Sequence, residues 1–207
     1  MAGPTEWCNG GVRRDELAEL HYITPIENVP SILASGLLSH NRVAALRHTS
    51  VASEVIQDRR RGKRVPGARP LHDYVNLYIC ARNPMLYLRQ NQHESLCVLQ
   101  VSPAVLDLPN VVVTDGNAAS GYARFAPAPA GLAIVDRDRV FAEYWAHPDE
   151  IEQMRRKVAK CAEVLVPDRV APELIVGAYV SGDVARRALA TAAPGFAVVV
   201  DGHLFFR

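Results

Sequence analysis

A single carboxylate stands inside an apolar, strand-like run near residue 163. Residues 154–166 read MRRKVAKCAEVLV, so basic, helix-compatible side chains lead directly into Glu163 and three aliphatic residues. An unpaired charge is expensive to bury, and a carboxylate at such a place therefore needs an explanation. Two interpretations are open: Glu163 is an edge residue paired with a nearby Arg or Lys, or it is a catalytic carboxylate mounted on a rigid strand.

Three further groups of side chains could carry chemistry. They are residues 21–24 (HYIT), residues 56–60 (IQDRR) and the block at 71–85 (LHDYVNLYICARNPM). The first is also typical of a packed His or Tyr on a strand, and the second of an exposed helix face. The third combines polar groups, an aromatic residue and an Arg-Asn-Pro turn around one strand, a density that favours a cleft over a purely structural segment.

The composition limits what these groups can do. The chain has 207 residues, 49% hydrophobic and 22% charged, with a net charge of +1. This is an ordinary globular profile, and we expect one domain over residues 1–207 with a loosely docked N-terminal arm at 1–19. This net charge is too small to indicate by itself that the protein binds nucleic acid. Residues 59–64 and 155–157 are nevertheless basic clusters, which are either solvated faces or phosphate-binding groups.

Several classes of protein are disfavoured by what the sequence lacks. The four cysteines form no CxxC motif, which argues against a zinc site or a disulfide framework, and we expect no bound metal. There is no signal peptide and no apolar run of about 18 residues, so we expect a soluble, cytoplasmic protein. The Rossmann glycine motif, the P-loop and HExxH are also absent from the sequence.

Short elements of both types must position the candidate residues. Strands are predicted at 20–24, 75–81, 85–88, 95–101, 111–113, 163–166, 174–180, 196–200 and 204–206. Helices are predicted at 29–34, 54–61, 118–125, 139–145, 147–160 and 183–192, the first of them capped by Asn28. Their irregular order indicates an α+β protein with antiparallel or mixed sheets. The long, Arg-rich connection at 39–70 is typical of a lid or of a loop that binds an anionic ligand.

Taken in order, five segments resemble the DarT-type DNA ADP-ribosyltransferase toxins of bacterial toxin–antitoxin systems. They are HYITPIENVPSIL, IQDRRRGKRVP, LHDYVNLYICARNPMLY, VTDGNAA and RRKVAKCAEVLV. The resemblance extends over about residues 20–180 and includes the order and spacing of the elements. Its most specific parts are the block from LHDY to PMLY and the block around Glu163.

The resemblance implies a fold and an activity. The fold is the ADP-ribosyltransferase fold, an α+β architecture of split mixed β-sheets with an NAD cleft and flanking helices. The activity is transfer of ADP-ribose from NAD, as co-substrate, onto a base of single-stranded DNA, with release of nicotinamide. The implied partners are single-stranded DNA and a cognate antitoxin of the ADP-ribosylglycohydrolase or macrodomain type. We expect a monomer that contacts no membrane.

The resemblance also implies roles for individual residues. Glu163 is the implied catalytic carboxylate, and Arg60, the second Arg of IQDRR, is the implied active-site arginine. The residues implied to bind NAD are His21, Tyr22, Thr24, Asn28, Asn41 and Tyr74. The residues implied to bind DNA are Arg59, Arg82, Asn83, Met85, Tyr122, Arg155 and Arg156.

The chain departs from the thymidine-modifying members at several places. Those members usually have Tyr-His-Ile-Thr where this chain has HYIT. Because neighbouring residues of a strand face opposite sides, only one of His21 and Tyr22 can face the cleft, and we favour Tyr22. Residues 76–78, residues 81–83 and Asn117 also differ from that pattern. Another branch of the family modifies guanine, and this chain resembles that branch somewhat more closely, so the resemblance favours guanine over thymine as the target base.

Other functions remain open from the sequence. The same cleft would serve an ADP-ribosyltransferase that acts on RNA or protein, or an NAD glycohydrolase, and the molecule that gains mass distinguishes them. A non-enzymatic nucleic-acid-binding module would instead bind DNA in a salt-dependent manner that is indifferent to NAD.

Overall fold

The computed structural model of the chain describes residues 10–43, 58 and 60–207. The predictions for Arg59 and for most of the helix at 54–61 lie outside these residues. The strands of the described part are β1 (Leu20–Pro25), β2 (Leu37–Leu38), β3 (Tyr74–Tyr78), β4 (Leu96–Val101), β5 (Val112–Thr114), β6 (Phe125–Pro127), β7 (Glu163–Pro167), β8 (Arg169–Val170), β9 (Ile175–Val180) and β10 (Val198–Val200).

Helices of one to three turns lie between these strands. They are α1 (Val29–Ser35), α2 (His40–Val43), α3 (Pro84–Tyr87), α4 (Arg137–Val140), α5 (Glu150–Ala159) and α6 (Asp183–Ala192). Short 3-10 turns occur at Arg14–Glu16, Ile26–Asn28, Leu71–Asp73, Gln90–Gln92, Pro103–Asp107, Ala130–Ile134 and Pro172–Leu174. Within the described residues, no helix has the length and apolar character that crossing a membrane would require.

Eight of the strands form one mixed sheet that is split near its middle. Its order is β10-β9-β4-β1-β3-β7-β5-β6, with β10 parallel to β9 and the other neighbours antiparallel. β1 pairs with β4 over six residues and β3 with β7 over five, whereas β1 and β3 meet at a single pair, His21 opposite Tyr78. β2 and β8 form a separate two-stranded sheet. The prediction of split mixed sheets with flanking helices is therefore confirmed.

The main core lies on one face of the large sheet. Alternate residues of the strands belong to it, such as Leu77 of β3 and Val164 of β7, together with residues of α1 and α6. The opposite face carries two smaller apolar clusters, one that includes Tyr78 and one that includes Leu165. Glu163 is the register partner of Tyr78 and precedes Leu165 by two residues, so its strand position lies between these clusters.

The segment at 10–19 is docked on the core. Val12 and Leu17 are buried in the main core, and the Val12 amide donates to the Leu132 carbonyl at 3.2 Å. The Arg137 guanidinium donates to the Glu16 carboxylate at 2.7 Å. The prediction of a loosely docked arm is therefore wrong for these residues, because two buried aliphatic side chains anchor an otherwise polar stretch. Residues 1–9 of the predicted arm are not among the described ones.

Several predicted elements differ in the structure. Residues 118–122 form turns and a bend instead of a helix, and β6 follows at residue 125 and pairs with β5. The helix predicted at 139–145 is the single turn α4. Residues 204–206 form a turn in which the amides of Phe205 and Phe206 donate to the carbonyls of Gly202 and His203. Phe206 has a φ of 64°, so local turn bonds override the strand preference of these aromatic residues.

Residues 84–87 form helix α3 and do not continue a strand. Asn83 is its N-cap, since Oδ1 accepts from the Leu86 amide at 3.0 Å and Pro84 occupies the first helical position. Nδ2 of Asn83 donates to the Cys80 carbonyl at 2.9 Å, and the residue is 0% exposed. Asn83 thus reverses the chain after β3, and its burial contradicts the prediction that it binds DNA.

We expect Asn83→Ala to lower the free energy of unfolding by roughly 1–3 kcal/mol, because it removes a helix cap and the donor to the Cys80 carbonyl. Chemical denaturation of the variant and the wild type measures this loss. Tyr122→Ala, at a side chain that is 96% exposed, is the control and should change the free energy of unfolding by less than about 0.5 kcal/mol. Equal stability of the N83A variant and the wild type would contradict the structural role.

Candidate active site

The carboxylate of Glu163 forms a buried ion pair with Arg60. Nη1 of Arg60 lies 3.1 Å from one carboxylate oxygen of Glu163 and 3.3 Å from the other. Glu163 is 0% exposed and Arg60 is 6% exposed. Glu163 therefore has the arginine partner that one interpretation of the sequence required, but the pair is enclosed and does not lie at a solvated edge.

Glu163 is held by its place in the sheet. It is the first residue of β7, opposite Tyr78 of β3. Its backbone N–H donates to the Thr114 hydroxyl at 3.1 Å, and that hydroxyl donates to the Gly116 carbonyl at 2.6 Å. A Cβ atom at Gly116 would come within 2.7 Å of Val158, so glycine allows this turn to approach α5 closely. The carboxylate thus stands on a rigid element, as a preorganised site requires.

Burial governs the ionisation of this site. Removal from water raises the pKa of Glu163, and the Arg60 guanidinium and the Ala118 backbone amide oppose that effect in part. Burial also raises the pKa of Tyr78, and the Glu163 carboxylate nearby adds to the effect. The Tyr78 phenol therefore keeps its proton at neutral pH.

Arg60 carries a donor group that none of the described residues uses. Its Nη2 is buried, and among the described residues it has no hydrogen-bond partner. A buried donor without an acceptor costs about 1–3 kcal/mol, so the site favours a ligand that supplies an acceptor oxygen. A planar guanidinium in an enclosed site suits phosphate or carbonyl oxygens. No group of three or more His, Cys, Asp or Glu side chains in the described ranges could hold a metal ion.

The strand register decides between His21 and Tyr22. His21 is opposite Tyr78 and therefore shares the sheet face of Tyr78 and Glu163, whereas Tyr22 packs against the main core. Nδ1 of His21 lies 3.3 Å from the Tyr78 carbonyl, and Nε2 lies 3.1 Å from the Glu19 carboxylate. His21, and not the favoured Tyr22, therefore shares the face of Glu163, because strand pairing and not local sequence sets which residue faces which side.

The other predicted NAD contacts form separate groups. Nδ2 of Asn28 donates to the Thr24 hydroxyl at 3.2 Å, close to the end of β1. Nδ2 of Asn41 donates to the Asp73 carboxylate at 2.6 Å, directly before β3. Tyr74 is 4% exposed and packs inside the apolar cluster that includes Leu165. Its ring packs among apolar side chains of that cluster, and its binding of NAD stays a prediction.

Arg82 lies against aromatic rings beyond the end of β3. Its guanidinium carbon is 4.1 Å from the centroid of the Phe206 ring and 5.3 Å from that of the Tyr144 ring. Such cation–π contacts orient the guanidinium plane. Met85 packs, half-buried, against the cluster that includes Tyr78. Arg82 and Met85 are thus four and seven residues beyond the residue that faces Glu163.

The remaining predicted DNA contacts lie on the surface. Tyr122 is in the turn between β5 and β6, and its side chain is almost fully exposed. Arg155 is exposed on α5, whereas Arg156 donates to Glu152 at 3.1 Å on the same helix. Tyr122 and Arg155 are therefore accessible to a ligand, and Arg156 is held in an ion pair.

Two residues of the site were not predicted. Tyr78 faces Glu163, and Thr114 bonds the backbone of Glu163. A signal for Tyr78 exists in the sequence, because Tyr74, Asn76 and Tyr78 alternate along β3 and so share one face. Thr114 has no comparable signal, since its contact joins residues that are 49 positions apart.

Comparisons with known proteins connect this architecture to one family. A family model described as "ssDNA thymidine ADP-ribosyltransferase, DarT" matches residues 21–203. A DNA ADP-ribosyl transferase–DNA ADP-ribosyl glycohydrolase fusion protein of Thermosipho africanus is 34% identical over 175 residues, which are 79% of this chain and 42% of the relative. The chain therefore spans less than half the length of that relative.

Solved structures lead to the same family. DarT of Thermus sp. 2.9 in complex with ADP-ribosylated ssDNA has a TM-score of 0.79 and 29% identity, over 91% of this chain and 96% of that one. The Thermus sp. 2.9 DarT in complex with NAD+ has a TM-score of 0.74 and 27% identity, over 91% and 98%. The resemblance noted in the sequence is thereby confirmed. The chain belongs to the DarT family of NAD-dependent DNA ADP-ribosyltransferases.

Proposed function

We propose that this protein transfers ADP-ribose from NAD onto a base of single-stranded DNA and releases nicotinamide, with Glu163 as the catalytic carboxylate. The observation that supports the proposal most directly is the enclosed Glu163–Arg60 pair on the central strand β7. The relatives' complexes with NAD+ and with ADP-ribosylated ssDNA supply the two substrate classes. A carboxylate that is oriented before the substrate arrives lowers the entropic part of the barrier.

Glu163 has two tasks in this reaction. Breaking the bond between nicotinamide and ribose develops positive charge on the ribose, and a carboxylate nearby stabilises charge that exists only in the transition state. A ring nitrogen of a base is a weak nucleophile while it holds its proton, so proton removal by Glu163 contributes a further factor of roughly 10²–10⁴. The pKa of Glu163, raised by burial, suits the second task because a stronger base takes the proton more readily.

Arg60 neutralises Glu163 and covers it. Because the carboxylate has no exposed surface, we infer that substrate binding moves the guanidinium away from it. The unused Nη2 can bind a phosphate oxygen of NAD or a carbonyl oxygen of the base. Exchange of the carboxylate for a phosphate keeps Arg60 paired throughout, and the positive charge that develops on the ribose then stands opposite Glu163.

The remaining NAD contacts in this proposal come from β1 and the segment that follows it. Thr24 and Asn28 form a hydroxyl–amide pair beside the split in the sheet, and Asn41 offers a second amide. Hydroxyl and amide groups can both donate to and accept from ribose hydroxyls. Tyr22, which packs on the core face, supports this segment by packing.

DNA contacts are proposed for residues around the site that a strand can reach. Arg82 and Arg155 bind phosphates, Tyr122 offers a ring on which a base can stack, and Met85 supplies apolar contact. A net charge of +1 is compatible with this, because a few basic side chains are enough to bind a few DNA phosphates. The target base must be outside a duplex stack to reach an enclosed carboxylate, which favours a single strand.

We propose guanine as the favoured target base. The support is the set of differences from the thymidine-type pattern at residues 21–22, 76–78, 81–83 and 117, although the family description names thymidine. Two of these positions, His21 and Tyr78, form the pair that joins the half-sheets, and Tyr78 is the register partner of Glu163. A change at either position therefore lies close enough to Glu163 to affect which base is modified.

An antitoxin that removes ADP-ribose from DNA is the proposed protein partner. In the Thermosipho africanus relative, a transferase and a DNA ADP-ribosyl glycohydrolase form one fusion protein. A transferase that modifies DNA bases is toxic to its own cell unless the modification is reversed, which makes a toxin–antitoxin pair the natural setting. We further propose that residues 1–207 form one domain, and that it acts as a monomer in the cytoplasm, where NAD and DNA are both available.

We expect Glu163→Gln to reduce transfer to single-stranded DNA by at least about 10²-fold, since it removes the charge at nearly constant shape. The ADP-ribose added to an oligonucleotide in the presence of NAD is measured by mass spectrometry. Glu163→Ala should also abolish transfer, but it leaves Arg60 buried without a counter-charge and should cost roughly 3–5 kcal/mol of stability. Glu173→Gln, at an exposed glutamate, is the control. Undiminished transfer by a folded E163Q variant would refute the proposal that Glu163 is the catalytic carboxylate.

Substitutions of Arg60 separate its charge from its shape. Arg60→Lys keeps the charge but loses the planar fork, so it should retain more transfer than Arg60→Ala, and the R60A variant should be about 10²–10³-fold slower than the wild type. Single-turnover rates at saturating NAD measure the effect. Arg61→Ala is the matched control, because the neighbouring Arg61 side chain is 73% exposed. Wild-type rates in the R60A variant would exclude Arg60 from the site.

Oligonucleotides that differ in one central base test the target. One oligonucleotide has guanine at that position and the other has thymine. After reaction with NAD and digestion of the DNA to nucleosides, we expect ADP-ribose on deoxyguanosine and not on thymidine. An adduct on thymine alone would refute the base preference and leave the transferase function standing. Mass gained by RNA or protein but not by DNA would favour the alternative substrates. Tight DNA binding that is indifferent to NAD, with no adduct, would favour the non-enzymatic module.

A further inference from the structure

The two halves of the split sheet are joined at one residue pair. β1 belongs to one half and β3 to the other, and they meet at His21 and Tyr78. On the other side of β3, the partner of Tyr78 is Glu163. The three residues therefore form one row across the split, and whatever holds His21 to Tyr78 also sets where Glu163 stands relative to β1.

His21 is bonded at both ends of its ring. Nδ1 lies 3.3 Å from the Tyr78 carbonyl and Nε2 lies 3.1 Å from the Glu19 carboxylate. Both partners are acceptors, so the ring donates both hydrogen bonds when both of its nitrogens carry a proton. Glu19 also accepts from the Tyr179 hydroxyl at 2.8 Å and from the Gln100 amide at 2.6 Å. Tyr179 is on β9 and Gln100 on β4. The network thus connects β9, β4 and β1 to β3 across the split.

Two observations indicate that the fold is built around this network. A Cβ atom on Gly177 would come within 2.3 Å of Oε1 of Gln100, so a side chain at this position would displace the amide group that reaches Glu19. Burial opposes the ionisation of Glu19, but hydrogen bonds from His21, Tyr179 and Gln100 outweigh it and lower the pKa of Glu19. The Glu19 carboxylate is therefore ionised, and accepts hydrogen bonds, at neutral pH.

We propose that His21 is a positioning residue for the transferase site and not a ligand of NAD. Its Nδ1 holds the Tyr78 backbone, and the pairing of Tyr78 with Glu163 carries that constraint to the catalytic carboxylate. Glu19 holds the imidazole ring in the orientation that this bond requires. The inference rests on the proposed transferase function for its kinetic test and on the sheet junction for its structural test.

Two substitutions separate the two bonds of His21. Asparagine places an amide N–H close to the position of Nδ1, and glutamine places one close to the position of Nε2. His21→Asn therefore keeps the bond to the Tyr78 carbonyl and loses Glu19, whereas His21→Gln does the reverse. We expect kcat for transfer to an oligonucleotide to fall about 10- to 100-fold in the H21Q variant and less than about 3-fold in the H21N variant. The KM for NAD should stay within about 3-fold of the wild-type value in both variants, because a positioning residue does not bind NAD.

Amide hydrogen exchange provides a readout that does not depend on activity. Peptides that cover residues 74–80 and 161–166 should exchange faster in the H21Q variant than in the H21N variant or the wild type, because the junction opens more often. If the H21Q variant does not fold, Glu19→Ala replaces it. That change releases the ring, so it should lower kcat in the wild-type background and have no further effect in the H21N background.

The outcomes are distinguishable. Equal kcat values in the H21N and H21Q variants, or a raised KM for NAD at unchanged kcat, would refute the positioning role. It would also be refuted if each of the two peptides exchanged at the same rate in both variants. An effect of Glu19→Ala that is the same in both backgrounds would also refute it. If the wild type modifies no DNA at all, the proposed function fails, and the exchange data alone then decide whether His21 holds the junction.

Discussion

One buried ion pair constrains the whole site. A carboxylate at the start of a central strand cannot be removed from water alone, and Arg60, 103 residues earlier in the chain, supplies its counter-charge. The segment that carries Arg60 must therefore dock on the sheet for the strand to be stable there. The same guanidinium has a buried donor without a partner among the described residues, so in the proposed function the pair can exchange one acceptor for another. Under the proposed function, stability of the free protein and ligand binding both depend on these two side chains.

The split in the sheet gives this pair its place. Most neighbouring strands pair over several residues, which satisfies their backbone groups and makes the ladder rigid. Between β1 and β3 the ladder is reduced to His21 and Tyr78, so a cleft can open beside that pair while each half-sheet stays intact. The side-chain network around Glu19 supplies hydrogen bonds at the point where the backbone ladder does not. Rigidity of the halves and narrowness of the junction are together what an enclosed two-substrate site needs.

Sequence reasoning succeeded where the physical cause is local. Helix α6 begins and ends where periodicity placed it, and β4, β7 and β9 differ from their predicted bounds by one residue at each end at most. It failed where tertiary contacts override local preference. Asn83 was assigned to DNA, yet it caps α3 and is buried. The aromatic residues at 204–206 suggested a strand, yet turn bonds to Gly202 and His203 bend the chain there.

The sequence by itself determined which residue types could do the chemistry. The carboxylate at 163, the arginine at 60 and the family resemblance around them can all be read in the order of the chain, because they depend on residue identity and spacing. Only the tertiary structure decided that Glu163 and Arg60 are enclosed together, that His21 and not Tyr22 shares their face, and that Tyr78 and Thr114 complete the site. The physical reason is that strand register and burial arise from contacts between distant segments, which no local periodicity records.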